Sequence, residues 1–203
     1  MKRSLRSLTQ VLFLTFFVLL MVLGRPQLWM AVFLAGMVLA FFAGRLYCGY
    51  LCPINTLMEP VTWLKRKLKI KDRKLPKFFE HPAVRILAVL FFLVAFGVTM
   101  ITGKRLPVLP LLVAIGVGLT LFFPEALWHR YLCPYGLFLS IPSRKAKKRV
   151  FVTADKCINC TKCARVCPSR AIIREEKHQV LPAECLVCGD CIRSCPTQAI
   201  TFI

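Results

Sequence analysis

Cys157-Ile158-Asn159-Cys160-Thr161-Lys162-Cys163-Ala164-Arg165-Val166-Cys167-Pro168 and Cys185-Leu186-Val187-Cys188-Gly189-Asp190-Cys191-Ile192-Arg193-Ser194-Cys195-Pro196 are two copies of one pattern, C-x2-C-x2-C-x3-C-P. This is the spacing by which thiolates hold a pair of [4Fe–4S] cubes, the last cysteine of each run serving the other cube. One cluster then falls to Cys157, Cys160, Cys163 and Cys195, and the second to Cys185, Cys188, Cys191 and Cys167. Three cysteines at i, i+3 and i+6 wrap a loop around one cube. The fourth is expected to start a short helix that points toward the other, and the proline ends the turn. Two zinc sites are the alternative, but zinc usually pairs two C-x2-C knuckles across a longer gap.

The two runs are offset by 28 residues, and the match extends through Cys167-Pro168-Ser169-Arg170-Ala171-Ile172 and Cys195-Pro196-Thr197-Gln198-Ala199-Ile200. Short β-rich stretches flank them at Val150–Thr153, Ile172–Arg174, His178–Leu181 and Ile200–Ile203. Residues 150–203 are therefore expected to form a small α+β two-[4Fe–4S] ferredoxin-type domain. His178 lies in a strand region and is read as an exposed or packed residue, not a ligand.

Residues 1–149 have a different character. The chain is 57% apolar with a mean hydropathy of +0.63, above the roughly 45–50% of soluble domains. Four stretches carry no charge: Ser7–Gly24, Pro26–Gly44, Ile86–Gly103 and Leu106–Pro124. Each approaches the roughly 20 residues that carry a helix across a bilayer. Four segments are too few to close a barrel, so four transmembrane helices are expected, paired at the turns Gly24-Arg25-Pro26 and Gly103-Lys104-Arg105.

The net charge of +20 is concentrated in blocks beside these runs. A nucleic-acid binder would spread its cations over a polar folded face, so no nucleic-acid partner is expected. Lys2, Arg3 and Arg6 precede the first run; Lys65, Arg66, Lys67, Lys69, Lys71, Arg73, Lys74 and Lys77 form a central basic loop; Arg144, Lys145, Lys147, Lys148 and Arg149 follow the fourth. Positive-inside counting puts both termini and the cysteine-rich domain in the cytoplasm, on a multi-pass inner-membrane protein. The central loop reads as a solvated topogenic segment, with a lipid- or partner-binding surface as the alternative. A basic start before an apolar run also fits a cleaved leader. No small-x-small cleavage site follows Leu23, so the first run is read as a retained span.

Three cysteines remain. Leu46-Tyr47-Cys48-Gly49-Tyr50-Leu51-Cys52-Pro53 and Leu127-Trp128-His129-Arg130-Tyr131-Leu132-Cys133-Pro134 match at an offset of 81 residues. Each follows an apolar run that exits to the same side. Cys48, Cys52, His129 and Cys133 are therefore candidate ligands of a third iron–sulfur or other metal centre. The alternatives are packed cysteines at a helix end and a redox-active Cys48–Cys52 thiol pair.

Two span-plus-C-x3-C-P units followed by two cysteine runs resemble the NapH-like membrane ferredoxins, which include NapH and MauN and the related core of NosR and CcoG. The resemblance covers the chain from about the second apolar run to its end, and His129 departs from the C-x3-C-P pattern. It implies an electron-transfer component of an oxidoreductase complex. Such a protein passes electrons between a membrane quinol pool or cytoplasmic donor and a partner redox enzyme or quinol dehydrogenase subunit. Likeness to CcoG permits an assembly or metal-reduction factor, and a non-redox membrane anchor or sensor is the third class. If quinone binds, Glu59, His81, Glu125 and His129 are the titratable candidates by position.

Overall fold

The computed structural model describes residues 3–102 and 108–203, so the expected turn at Gly103-Lys104-Arg105 lies outside the described residues. The chain packs as two compact units, residues 1–52 with 138–203 and residues 53–137. The change in composition at residue 150 does not mark this division. The first two apolar helices instead share a unit with the cysteine-rich end.

In the first unit, α1 (Arg3–Val22), α2 (Leu28–Ala43) and the short α3 (Leu46–Tyr50) are joined by aromatic packing. Trp29 meets Phe17 edge-on at 5.0 Å, and Phe33 meets Tyr47 at 5.6 Å. The Trp29 indole donates to the Tyr47 hydroxyl at 2.9 Å, which satisfies both polar tips in an otherwise apolar core.

The cysteine-rich end has the expected strands: β1 (Val150–Val152), β2 (Ile172–Arg174), β3 (His178–Val180) and β4 (Ile200–Phe202). β1 pairs antiparallel with β4, Val150 opposite Phe202, and β2 with β3, Ile172 opposite Val180. Val150, Ile172, Val187 and Ile200 form its core with Cys163 and Cys191. Two short helices, α9 (Lys162–Val166) and α10 (Asp190–Ser194), each carry the third cysteine of a run. The fourth cysteine does not start a helix, as the spacing had suggested. Cys167 and Cys195 each end one, in extended backbone ahead of the proline. A residue before proline is pushed out of the helical region, so the break comes there.

In the second unit, α4 (Pro53–Lys67), a single turn α5 (Lys77–Glu80), α6 (Pro82–Thr102), α7 (Val108–Phe122), a wide π-type turn (Leu127–Leu132) and the start of α8 (Pro134–Ser143) follow in order. Of the segment read as a solvated basic loop, Lys65, Arg66 and Lys67 form the last turn of the fifteen-residue helix α4, and every cation from Arg66 to Lys77 is exposed. Lys65 is buried, ion-paired to Asp72 and donating to the carbonyls of Thr120 at 2.8 Å and Phe123 at 3.3 Å. A cation at the end of α7 satisfies carbonyls that have no partner within the helix.

Among the described residues, α1 and α6 are long and apolar enough to cross a membrane; α2 and α7 are apolar but shorter. Both long helices expose large apolar side chains, including Val22 at 79% and Phe91 at 72%. Apolar faces of that extent are rare on soluble monomers.

Candidate functional site

The folded cysteine-rich end encloses two cavities. One is lined by Cys157, Cys160, Cys163 and Cys195. The other is lined by Cys167, Cys185, Cys188 and Cys191. Each thus draws three cysteines from one run and the fourth from the other. Among the described residues, no three His, Cys, Asp or Glu side chains form a group able to hold one metal ion.

The backbone of each loop is set for this task. Asn159, Thr161 and Arg170 have positive φ, and so do Val187, Gly189 and Gln198, their counterparts 28 residues on. For the β-branched Val187 this conformation costs of order 1–3 kcal/mol, which the surrounding loop must hold. These turns aim N–H groups inward. Ala171 donates to the Cys167 sulfur at 3.2 Å, Ala199 to Cys195 at 3.3 Å, and Val187 to Cys185 at 3.4 Å. Such bonds favour the thiolate form that iron requires. Four sulfurs, inward amides and a cavity fit an iron–sulfur cube.

The two cavities differ electrically. Burial pushes the Cys185 thiol up from 9.0 to about 11 and Cys191 to about 12, and raises Cys188 well above its ordinary value. Neighbouring thiolates of Cys185 and Cys167 push Cys191 further in the same direction. At the other site burial also raises Cys163. Burial acts upward on Cys195 too, but the Thr197 hydroxyl and the backbone N–H groups of Ala199, Thr197 and Ile200 outweigh it and hold that thiol below 9.0.

His178 is neither exposed nor remote. It is 3% exposed and lines the Cys157 cavity, with Nδ1 3.9 Å from the Cys157 sulfur and 3.2 Å from Asn159 Oδ1. Sequence reasoning missed this, although the 28-residue offset gave a signal. His178 is the counterpart of Val150, and Val150 lines the Cys185 cavity.

The remaining cysteines are all buried, Cys48 and Cys52 in the first unit and Cys133, with His129, in the second. Both copies of the repeat end on the same hydrogen bond, the first after the short α3 and the second after the π-type turn. The Cys52 N–H donates to Tyr47 O at 3.0 Å and the Cys133 N–H to Trp128 O at 2.8 Å, each closing a wide six-residue turn. Pro53 and Pro134 then open α4 and α8, a position where a missing N–H costs nothing. Gly49, inside the first copy, abuts the Cys185 loop: a Cβ there would stand 2.3 Å from Leu186 O.

Of the titratable candidates, Glu59 accepts from Asn55 at 2.9 Å and Glu125 is buried. His81 is exposed, and its Nδ1 accepts the Ala83 N–H at 3.2 Å, so it caps the start of α6.

Comparison with known proteins follows the same anatomy. The model of a 4Fe-4S binding domain matches twice, at residues 26–71 and 105–150, over the two copies of the repeat. A 4Fe-4S dicluster domain matches residues 150–202. An uncharacterized protein of Methanocaldococcus jannaschii is 35% identical, with 70% of this chain and 59% of that protein covered. The methylamine utilization ferredoxin-type protein MauN of Paracoccus denitrificans is 28% identical, covering 74% of this chain and 55% of its own length. The ferredoxin-type protein NapH of Haemophilus influenzae is 27% identical, covering 71% and 55%. The chain spans about half the length of the curated relatives it matches. No solved structure matches it. With its paired cysteine runs, its repeated cysteine–proline motif and these relatives, the chain belongs to the NapH/MauN-like family of ferredoxin-type proteins that bind iron–sulfur clusters.

Proposed function

We propose that the chain is a membrane-bound electron carrier with two [4Fe–4S] clusters, one held by Cys157, Cys160, Cys163 and Cys195 and the other by Cys167, Cys185, Cys188 and Cys191. It passes electrons between a quinol pool or cytoplasmic donor and a partner redox enzyme. The observation that carries this reading is the pair of cavities, each lined by three cysteines of one run and the fourth of the other. When bound, the clusters supply one-electron chemistry without bond making. The protein contributes the sulfur ligands, the inward amides and the exclusion of water.

The reading extends to four apolar helices in the cytoplasmic membrane, with both termini inside. The length and apolarity of α1 and α6 and the blocks of flanking cations support it. A third iron–sulfur centre rests on the sequence pattern: a 4Fe-4S binding model matches each copy of the repeat, one carrying Cys48 and Cys52 and the other His129 and Cys133.

Anaerobic purification with iron and sulfide analysis and EPR tests both parts. About eight iron and eight sulfide per chain are expected from two clusters, and about twelve iron from three. Zinc in their place, or a chain without iron, overturns the reading. Reoxidation of the reduced protein by a quinone analogue tests the quinol connection.

A further inference from the structure

The two cluster loops are braced in different ways. The Cys157 loop is held by its neighbouring hairpin: Lys177 Nζ donates to Cys157 O at 2.8 Å and Asn159 to Glu176 O at 2.9 Å. Ile158 at its tip is 61% exposed. The Cys185 loop is instead gripped by two buried cations, one on α1 and one between α2 and α3. Arg6 on α1 is 5% exposed; it donates through Nε to Gly49 O at 3.1 Å and through Nη1 to Cys188 O at 3.4 Å. Gln10, one turn on, donates to the same Gly49 carbonyl at 3.1 Å. Arg45, fully buried ahead of α3, donates to Ala183 O and pairs with Glu184, both at 3.2 Å.

A guanidinium stays charged whatever its surroundings, and removing it from water is costly unless something nearby compensates. Backbone carbonyls and partial pairing offset part of that cost. The negative charge of a reduced cluster beside the loop would offset more.

We infer that Arg6 is a positioning residue: together with Arg45 it fastens the Cys185 loop to the first apolar helices and favours the reduced state of the cluster held there. Asp190, 3.5 Å from the same Arg6 nitrogen and also paired with Arg193, opposes it. The Cys185 site thereby becomes the one coupled to α1 and to the Cys48–Cys52 motif through Gly49. The Cys157 site, with its exposed tip, is left toward solvent. This inference rests on the two-cluster reading above.

Redox titration of the full chain in lipid nanodiscs, followed by EPR, resolves the two couples. Cys160→Ala, which removes a ligand of the Cys157 site, identifies which signal belongs to which. Arg6→Gln is expected to lower the reduced-to-oxidised ratio of the Cys185 couple about tenfold at fixed potential, which is 59 mV for one electron. Asp190→Asn is expected to raise it, and the Cys157 couple should stay in place under both. Opposite shifts at one couple are a signature that simple loosening of the loop does not give. If Arg6→Gln costs iron, Asp190→Asn alone decides. Two couples that ignore both substitutions, or that move together, overturn the inference while leaving the two-cluster reading intact. A wild-type chain without iron overturns that reading itself.

Discussion

Nδ1 of His178 lies 3.9 Å from the sulfur of Cys157, at the place where the other half of the repeat has Val150. The same ring nitrogen is 3.2 Å from Asn159 Oδ1, so a proton on Nδ1 faces two acceptors. A hydrogen bond to a ligand sulfur stabilises the added electron. His178→Val copies the residue of the other site and removes this donor. The midpoint potential of the Cys157 couple should fall, by roughly 1 kcal/mol in one-electron terms, the size of a typical net hydrogen bond. Iron content should stay unchanged. Redox titration monitored by EPR checks both, and an unmoved couple would show that the contact is mere packing.

The thiols of the Cys185 site predict a pH dependence for the protein stripped of iron. Burial raises Cys185 to about 11 and Cys191 to about 12, from 9.0. Both are therefore protonated in the folded apo protein at neutral pH, and loading iron must release those protons. Iron affinity of the apo protein should rise with pH between about 7 and 9. The sign for stability is the reverse. Above about pH 9 the unfolded chain ionises these thiols first, while the folded chain still holds their protons, so the unfolded state binds fewer. Apo stability should then fall as pH rises from about 9 through 11. Chelator competition tests the first trend, and thermal unfolding against pH tests the second.

What the sequence made readable was whatever local chemistry decides. Eight cysteines and two prolines at set spacing pointed to two four-cysteine sites, and β-branched stretches located all four strands within a residue at each end. The 81-residue repeat was legible too, but not the wide turn that its two copies share at Cys52 and Cys133. What stayed hidden depends on partners distant in the chain. Arg6 reads as a topogenic cation until Cys188 O, 182 positions on, is seen beside it. Val187 gives no hint of positive φ, because the loop and not the residue imposes it. Lys65 looked solvated because seven like charges follow within twelve residues, and periodicity says nothing about the end of α7 that it caps.

That hidden role of Lys65 is testable. Its ammonium pairs with Asp72 and serves two carbonyls at the end of α7, whereas Lys67 stands exposed two residues on. Lys65→Ala leaves buried carbonyls unsatisfied and should destabilise the protein by roughly 1–3 kcal/mol. Lys67→Ala should fall within about 0.5 kcal/mol of wild type. Thermal unfolding in detergent, with both variants compared side by side, separates a capping lysine from a merely topogenic one. Equal effects would return Lys65 to the solvated class.

Gly116 and Gly118 sit two residues apart on α7 and face different surroundings. A Cβ on Gly116 would lie 2.8 Å from Ile54 Cγ2 of α4 and 3.0 Å from Cε2 of Trp128. A Cβ on Gly118 would meet nothing within 4 Å. The first glycine therefore sets how closely α7 approaches α4, and its neighbours are a branched side chain and a buried indole with little room to yield. Gly116→Ala should overpack this contact and cost roughly 1–3 kcal/mol. Gly118→Ala adds a methyl into open space and removes glycine's backbone entropy, so it should be neutral or stabilise by about 0.5–1 kcal/mol. Melting temperatures of the two variants should move apart, in opposite directions or with only Gly116→Ala lowered. If both rise, α7 does not pack on α4 as closely as its small residue suggests.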